Sequence, residues 1–209
     1  MHARSAQFNR KLWFVVPMRG VARGKSRLAA VLDPGERARL NRRLLRRTLT
    51  VISTWQGDLS RCIVVSACSQ TLRIARRADA VPLLEPRPSR GLNHAVSRAV
   101  RRAIRSGARA VVVLPSDLPR LSGDGLDALF HCATYGTGGV IAPDADRSGT
   151  NALLLTTRSR FDFRFGLQSC AGHVEAARSR GWRLAICPHP DLALDIDLPR
   201  DLLAWRAMV

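Results

Sequence analysis

Three aspartates and a lysine offer the most definite chemistry in this sequence. Asp195 and Asp197 stand two apart in "LALDIDLPRDLLAW", and an extended chain points residues so spaced to the same side. Two carboxylates on one face repel each other unless a cation lies between them, and a hard divalent ion with oxygen ligands suits that gap. Asp117 lies far upstream in "AVVVLPSDLP", just past an apolar run and held between Pro115 and Pro119. Lys25 follows another apolar run, in "LWFVVPMRGVARGKSRL". There Arg19, Arg23 and Arg27 add positive charge, and Gly20 and Gly24 let a backbone approach an anion closely. The stretch is not the phosphate loop G-x-x-x-x-G-K-[ST], because arginine occupies position 19 where that pattern needs glycine. Each feature also has an ordinary alternative. Asp117 can cap a turn, Asp197 can cap a helix entered at Pro199, and the arginines can line a solvated loop.

A second group lies in "RSGTN" (147–151) and "FRFGLQS" (163–169). Gly149 and Gly166 offer backbone amides, and Thr150 and Ser169 offer hydroxyls. Ser169 stands where a helix should begin, and a helix N-terminus favours an anion. Seen alone, these are ordinary turn and cap residues, and His173 is expected to pack or lie on the surface. Taken together, phosphate-binding cations, a carboxylate cluster suited to Mg²⁺ and a second anion site fit phosphoryl or nucleotidyl transfer. Positioning and charge neutralisation are the main tasks in that chemistry. No Ser-His-Asp order is evident, and the glycine fingerprint of hydride-transfer enzymes is missing.

These residues need a frame. Apolar strand-like runs at 12–16, 62–67, 81–85, 139–143, 151–157 and 182–187, with another inside "ARAVVVLPSDLP" (108–119), alternate with helix-period segments. Leu40, Leu44, Leu45, Thr48, Leu49 and Ile52 form one stripe in a helix predicted from Gly35 to Thr54. Further helices are predicted at about 69–77, at 91–106 with Gly107 as its stop, from "LSGDGLDALFHC", and from Ser169 to about Arg180. Such alternation argues for an α/β fold, a parallel or mixed sheet with helices on both faces. Ligands then sit at the carboxyl ends of the strands, a rule that picks out the loop after "LWFVV", the loop after "AVVVL", the segment around "RSGTN" and the end "DID".

Composition bounds the alternatives. The 209 residues suit one domain, 1–209, with 1–11 a loosely attached segment. No apolar run approaches the ~20 residues needed to cross a bilayer, and the polar N-terminus makes a poor signal peptide. A cytoplasmic protein is expected. Cys62, Cys68, Cys132, Cys170 and Cys187 are odd in number and show no C-x-x-C spacing, so reduced thiols are expected. The net charge of +18 invites a nucleic-acid reading. Yet only Lys11 and Lys25 are lysines, and the arginines spread over helical polar faces with no basic tail. An arginine bias on solvated faces, with a field that attracts anionic substrates, explains the charge better.

The segments "VVPMRGVARGKSRL", "VVVLPSDLP", "IAPD…SGTNALLL", "FRFGLQSCAGH" and "LALDIDLPRDL" occur in the order seen in the CofC/FbiD family, and the chain resembles that family from about residue 12 to 203. Its members are guanylyltransferases of coenzyme F420 biosynthesis with a single-domain, three-layer nucleotidyltransferase-type fold and a mostly parallel mixed sheet. The resemblance implies transfer of GMP from GTP to the phosphate of 2-phospho-L-lactate, phosphoenolpyruvate or 3-phosphoglycerate, with release of pyrophosphate. It implies Mg²⁺ on Asp117, Asp195 and Asp197, and catalytic roles for Lys25 and Asp117. Thr150, Gly166 and Ser169 would hold the phospho-acid. Arg19, Gly20, Arg23, Lys25, Asn93 and Ser116 would meet the nucleotide. Expected partners are the two substrates and the downstream Fo transferase that takes the labile product; a homodimer is compatible, and neither membrane nor nucleic acid is expected. Two departures stand out. Met18, Arg19 and Gly20 replace the family's usual Val-Lys-Pro, and "SCAGH" replaces "SFxRH", with Cys170 and Gly172 in the changed positions. Another nucleotidyltransferase, of the sugar-phosphate or molybdenum-cofactor type, a basic nucleic-acid-binding protein and a GTP-binding regulator without turnover are the competing readings.

Overall fold

The computed structural model describes residues 11–21, 25–86, 88–133, 137–156 and 160–207. The N-terminal segment expected to be loose lies outside the described residues except for Lys11, whose carbonyl accepts from the Arg109 amide at 2.8 Å.

Strands β1 (Leu12–Pro17), β2 (Cys62–Ser66), β3 (Val81–Leu84), β4 (Ala110–Val113), β5 (Gly139–Pro143), β6 (Thr150–Thr156) and β7 (Leu184–Ile186) form one sheet. Their order is β3-β2-β1-β4-β6-β5-β7. Successive strand residues face opposite sides, so the complete burial of Phe14, Val15 and Val16 means both faces are covered. That is why the inner strands read as continuous apolar runs, whereas the edge strands β3 and β7 are only partly buried. β1 pairs in parallel with β2 and β4, and β2 with β3. β6 runs against both β4 and β5, while β5 and β7 are parallel. The sheet is therefore mixed and mostly parallel, with β6 as its single reversed strand.

The helices are α1 (Pro34–Gln56), α2 (Ser69–Arg77), α3 (Leu92–Arg105), α4 (Gly123–His131), α5 (Ser169–Arg178), α6 (Pro190–Ala193) and α7 (Pro199–Arg206). α1 begins in a capping box. The Asp33 carboxylate accepts from the Glu36 amide at 2.7 Å, and the Glu36 carboxylate accepts from the Asp33 amide at 2.8 Å. It runs two residues past the predicted Thr54 and stops at Gly57, whose φ of 95° suits a glycine.

On one face of the sheet, Leu45, Leu49 and Ile52 of α1 and Leu126 and Leu129 of α4 pack against Phe14, Val64 and Val112. On the other, Val96, Ala99 and Ala103 of α3 and Cys170 of α5 cover Val15, Ile63 and Val111. Three layers result, each fully buried Leu or Phe contributing about 1.5–3 kcal/mol relative to exposure. A smaller third cluster joins Leu28 and Leu32 after β1, Leu40 and Leu44 of α1, and Ile196 and Leu202 near the C-terminal end. The Arg43 guanidinium lies 5.1 Å over the Trp205 ring and adds a cation–π contact to this seam. The five cysteines are free thiols. No helix among the described residues is long and apolar enough to cross a membrane.

The chain travels outward from β1 through β2 to β3, then returns to place β4 on the other side of β1. This reversal opens a crevice at the carboxyl ends of β1 and β4, where open α/β sheets bind ligands. Because β6 is reversed, its first residue, Thr150, lies at the same edge. Counting three residues past the Val113–Leu153 pair reaches Ser116 on one chain and Thr150 on the other.

Candidate active site

Asp117, Asp195 and Asp197 converge at that edge. Each offers one carboxylate oxygen to a group whose members all lie within 4.8 Å of one another. The alternation of the "DID" segment explains half of this. Ile196 is fully buried in the third cluster, so its neighbours on either side turn together toward the cleft. The other half is main-chain. The Ile196 amide donates to the Asp117 carbonyl at 3.1 Å and ties the tail to the loop after β4. The Ile196 carbonyl accepts from Lys25 Nζ.

Lys25 is the local counter-charge. Its side chain is 6% exposed, and Nζ lies 3.5 Å from Asp117 Oδ2 and 3.8 Å from Asp197 Oδ1. Arg27 reaches the other Asp197 oxygen at 3.7 Å. Lys25 adopts a left-handed backbone with φ of 61°, which costs a non-glycine residue about 1 kcal/mol or more. Leu28, three residues on, is buried in the third cluster and holds this turn in place. Asp195 is a confined carboxylate. Burial, then the negative charges of Asp117 and Asp197, push it up to about 6, with Lys25 pulling the other way. Lys25 and the exposed Arg27 together still fall one positive charge short of three carboxylates, and the all-oxygen donor set fits a hard divalent cation.

Asp197 is not the helix cap that its position before Leu198 and Pro199 allows. Leu198 occupies the N-cap of α7. Asp201 accepts from the Asp197 amide at 3.0 Å and from the Leu198 amide at 2.6 Å. The Asp197 carboxylate is thereby left to the cleft. Asn151 is a second supporting residue that sequence reasoning passed over. Buried at the start of β6, it donates to the carbonyls of Leu192 and Ala193 at 2.9 and 3.1 Å and fixes the turn that leads into Asp195. Asn41 of α1 does the same for the loop after β1, donating to the Val21 carbonyl at 3.0 Å.

The second group assembles at the same edge of the sheet, where β6 begins. Ser169 Oγ lies 3.2 Å from Thr150 Oγ1, and Thr150 Oγ1 lies 3.0 Å from His173 Nδ1. His173 Nε2 accepts from the Arg164 amide at 2.9 Å. This histidine is no surface residue: it is fully buried. Burial, then the nearby Arg164 charge, holds its ring down at about 4, so it is neutral. Gly166 sits exposed in the same loop with a φ of +133° and open space around it, a backbone state that needs glycine. Gly149 does not offer its amide to the cleft, because that N–H donates to Asp144 Oδ2 at 2.9 Å. At Gly172, a Cβ would meet the Arg164 Cβ at 3.0 Å. The family's usual Arg at this position is thus replaced by space that Arg164 fills.

The remaining candidates scatter. Arg19 is exposed at the end of β1 and Ser116 is buried next to Asp117. Gly20 is held by packing, since a Cβ there would come within 2.8 Å of the Cys68 Cβ. Arg23 lies outside the described residues. Asn93, expected along the nucleotide pocket, bonds to the main chain through both ends of its amide. Its Oδ1 accepts from the Phe165 amide at 2.7 Å and its Nδ2 donates to the Phe165 carbonyl at 3.1 Å. It clamps the loop that carries Gly166.

A family model described as "Guanylyl transferase CofC like" matches residues 12–205. The chain belongs to the CofC family of guanylyltransferases. This CofC-family chain is 42% identical over 193 residues to a phosphoenolpyruvate guanylyltransferase of Rubrobacter xylanophilus, covering 92% of each chain. It is 36% identical over 190 residues to a 3-phospho-D-glycerate guanylyltransferase of Phenylobacterium zucineum, covering 90% of this chain and 86% of the relative. Solved structures share its fold. A nucleotidyl transferase from Methanothermobacter thermautotroptrophicus matches with a TM-score of 0.64 at 18% identity, covering 95% of this chain and 97% of the other. A 4-diphosphocytidyl-2C-methyl-D-erythritol synthase matches with a TM-score of 0.60 at 15% identity, covering 95% and 98%. At such identities the likeness concerns the nucleotidyltransferase architecture alone.

Proposed function

We propose that this CofC-family protein transfers GMP from GTP to the phosphate of a three-carbon phospho-acid in coenzyme F420 biosynthesis. Phosphoenolpyruvate and 3-phosphoglycerate, the acids in the relatives' names, are the first choices. The carrying observation is the convergence of three carboxylates around a buried lysine at the sheet's topological switch.

The reaction forms a bond from an acceptor phosphate oxygen to the α-phosphorus of GTP and breaks the α–β bridge, releasing pyrophosphate. A phosphate dianion is already a competent nucleophile, so the chain needs no general base. Asp117, Asp195 and Asp197 would hold Mg²⁺, which supplies neutralisation of phosphate charge when bound. Lys25 contributes a fixed ammonium for developing negative charge, pre-positioned by the Ile196 carbonyl. Arg19, Gly20, Asn93 and Ser116 are assigned to the nucleotide, as is Arg23 on the sequence alone. Thr150, Gly166 and Ser169 are assigned to the phospho-acid, beside the carboxylates at the edge where β6 begins.

The test is pyrophosphate release from GTP and Mg²⁺ with phosphoenolpyruvate, 3-phosphoglycerate or 2-phospho-L-lactate, coupled to an Fo transferase that consumes the labile product. Acid-dependent release with GTP, and little with ATP, CTP or UTP, is the expected result. Folded protein that stays silent with all three acids overturns the proposal.

A further inference from the structure

The hydrogen-bond chain behind Thr150 has a direction, and His173 sets it. A backbone N–H can only donate, so the Arg164 amide, 2.9 Å away, requires a lone pair on His173 Nε2. The fully buried ring is neutral, and its one proton must then sit on Nδ1. Nδ1–H donates to Thr150 Oγ1 at 3.0 Å.

The consequence is a count of protons. Thr150 and Ser169 each carry one hydroxyl hydrogen, and one of the two makes the 3.2 Å bond between them. With Nδ1 as donor, the other hydroxyl hydrogen is left over, whichever way the pair turns. With the opposite tautomer, Nδ1 would accept from Thr150, Thr150 would accept from Ser169, and no hydrogen would remain. Carboxylate and phosphate oxygens only accept, so the first arrangement suits such a ligand and the second does not. We propose that His173 is a positioning residue that makes the Thr150–Ser169 pair a net hydrogen-bond donor toward the phospho-acid. This rests on the assignment of Thr150 and Ser169 to the acid under Proposed function.

Two variants separate the two ring nitrogens. In His173→Asn the amide NH₂ falls near Nδ1 and keeps the donor to Thr150. In His173→Gln the amide falls near Nε2 and keeps only the partner of the Arg164 amide. His173→Gln is expected to raise KM for the phospho-acid about tenfold, with KM for GTP unchanged, and His173→Asn to recover most of that loss. Thr150→Val should raise the same KM, and adding His173→Gln to it should change nothing further. Equal damage from both histidine variants, following their melting temperatures, would reduce His173 to a packing role. If Thr150→Val leaves the acid KM untouched, the acid assignment itself fails. If Thr150→Val raises it and His173→Gln does not, only the present inference fails. Should either variant not fold, ¹⁵N NMR of the unaltered protein decides: a pyridine-like Nε2 and a pyrrole-like Nδ1 are expected, and the reverse overturns the proposal.

Discussion

The two sides of the cleft are held together by opposite means. Beside β1 and β4, three carboxylates crowd around one buried ammonium, and Asp195 is pushed up to about 6 by confinement and like charge. Beside β6, Thr150, Ser169, His173 and Asn93 are joined by hydrogen bonds between neutral groups or to the main chain. The charged side carries three carboxylates against Lys25 and Arg27. The neutral side is already wired. Substitutions on the first should therefore cost turnover while sparing the fold, and substitutions on the second should cost stability and acid affinity together.

The largest effect tests this most sharply. Asp117→Asn should lower pyrophosphate release by about 10³-fold or more, in line with the loss of a central electrostatic contact. Its metal-free melting temperature should hold or rise, since one of three repelling charges is gone. A fall of many degrees would make the charged side structural and collapse the contrast.

The neutral side should answer to acid. His173 has a folded-state value of about 4 against 6.5 for the free ring, so the unfolded chain takes up its proton first as pH falls. The stability this contributes is complete above pH 6.5 and is lost through pH 4, on the order of 3 kcal/mol. Melting curves of the wild type and His173→Asn, compared from pH 7 to 4, should show the extra acid loss only in the wild type. Lys25→Met comes next, with turnover down about 10²-fold. It should also lower metal-free stability, because the carboxylates lose their buried counter-ion and keep only the exposed Arg27. Asp33→Ala, which belongs to neither group of site residues, should remove about 1 kcal/mol by breaking the α1 capping box and leave kinetics alone. An effect of that variant on acid KM would show that the two sides are coupled through the core.

Much of this was legible in the residues. Continuous apolar runs gave away strands buried on both faces, and the spacing from Leu40 to Ile52 gave α1 to within two residues of its end. The "DID" alternation announced a shared face, and Ile196 is the buried residue that enforces it. What could not be read was partnership across distance. Nothing near Asn93 says that both ends of its amide would bond to the main chain of Phe165. Nothing near His173 says that Arg164 and Thr150 would bracket its ring. The reversal of β6 depends on sheet order, which local pattern does not encode. Asp201 was closer to readable, since an acid shortly after Leu198-Pro199 is a helix-start signal that frees Asp197 from capping.

The bond from the Ile196 amide to the Asp117 carbonyl has a consequence for biosynthesis. A growing polypeptide leaves the ribosome N-terminal end first, so the first four strands and Asp117 are made long before residues 195–197. A nascent chain that stalls anywhere in between lacks two of the three carboxylates. Such an unfinished product has β1 to β4 but not the complete carboxylate group.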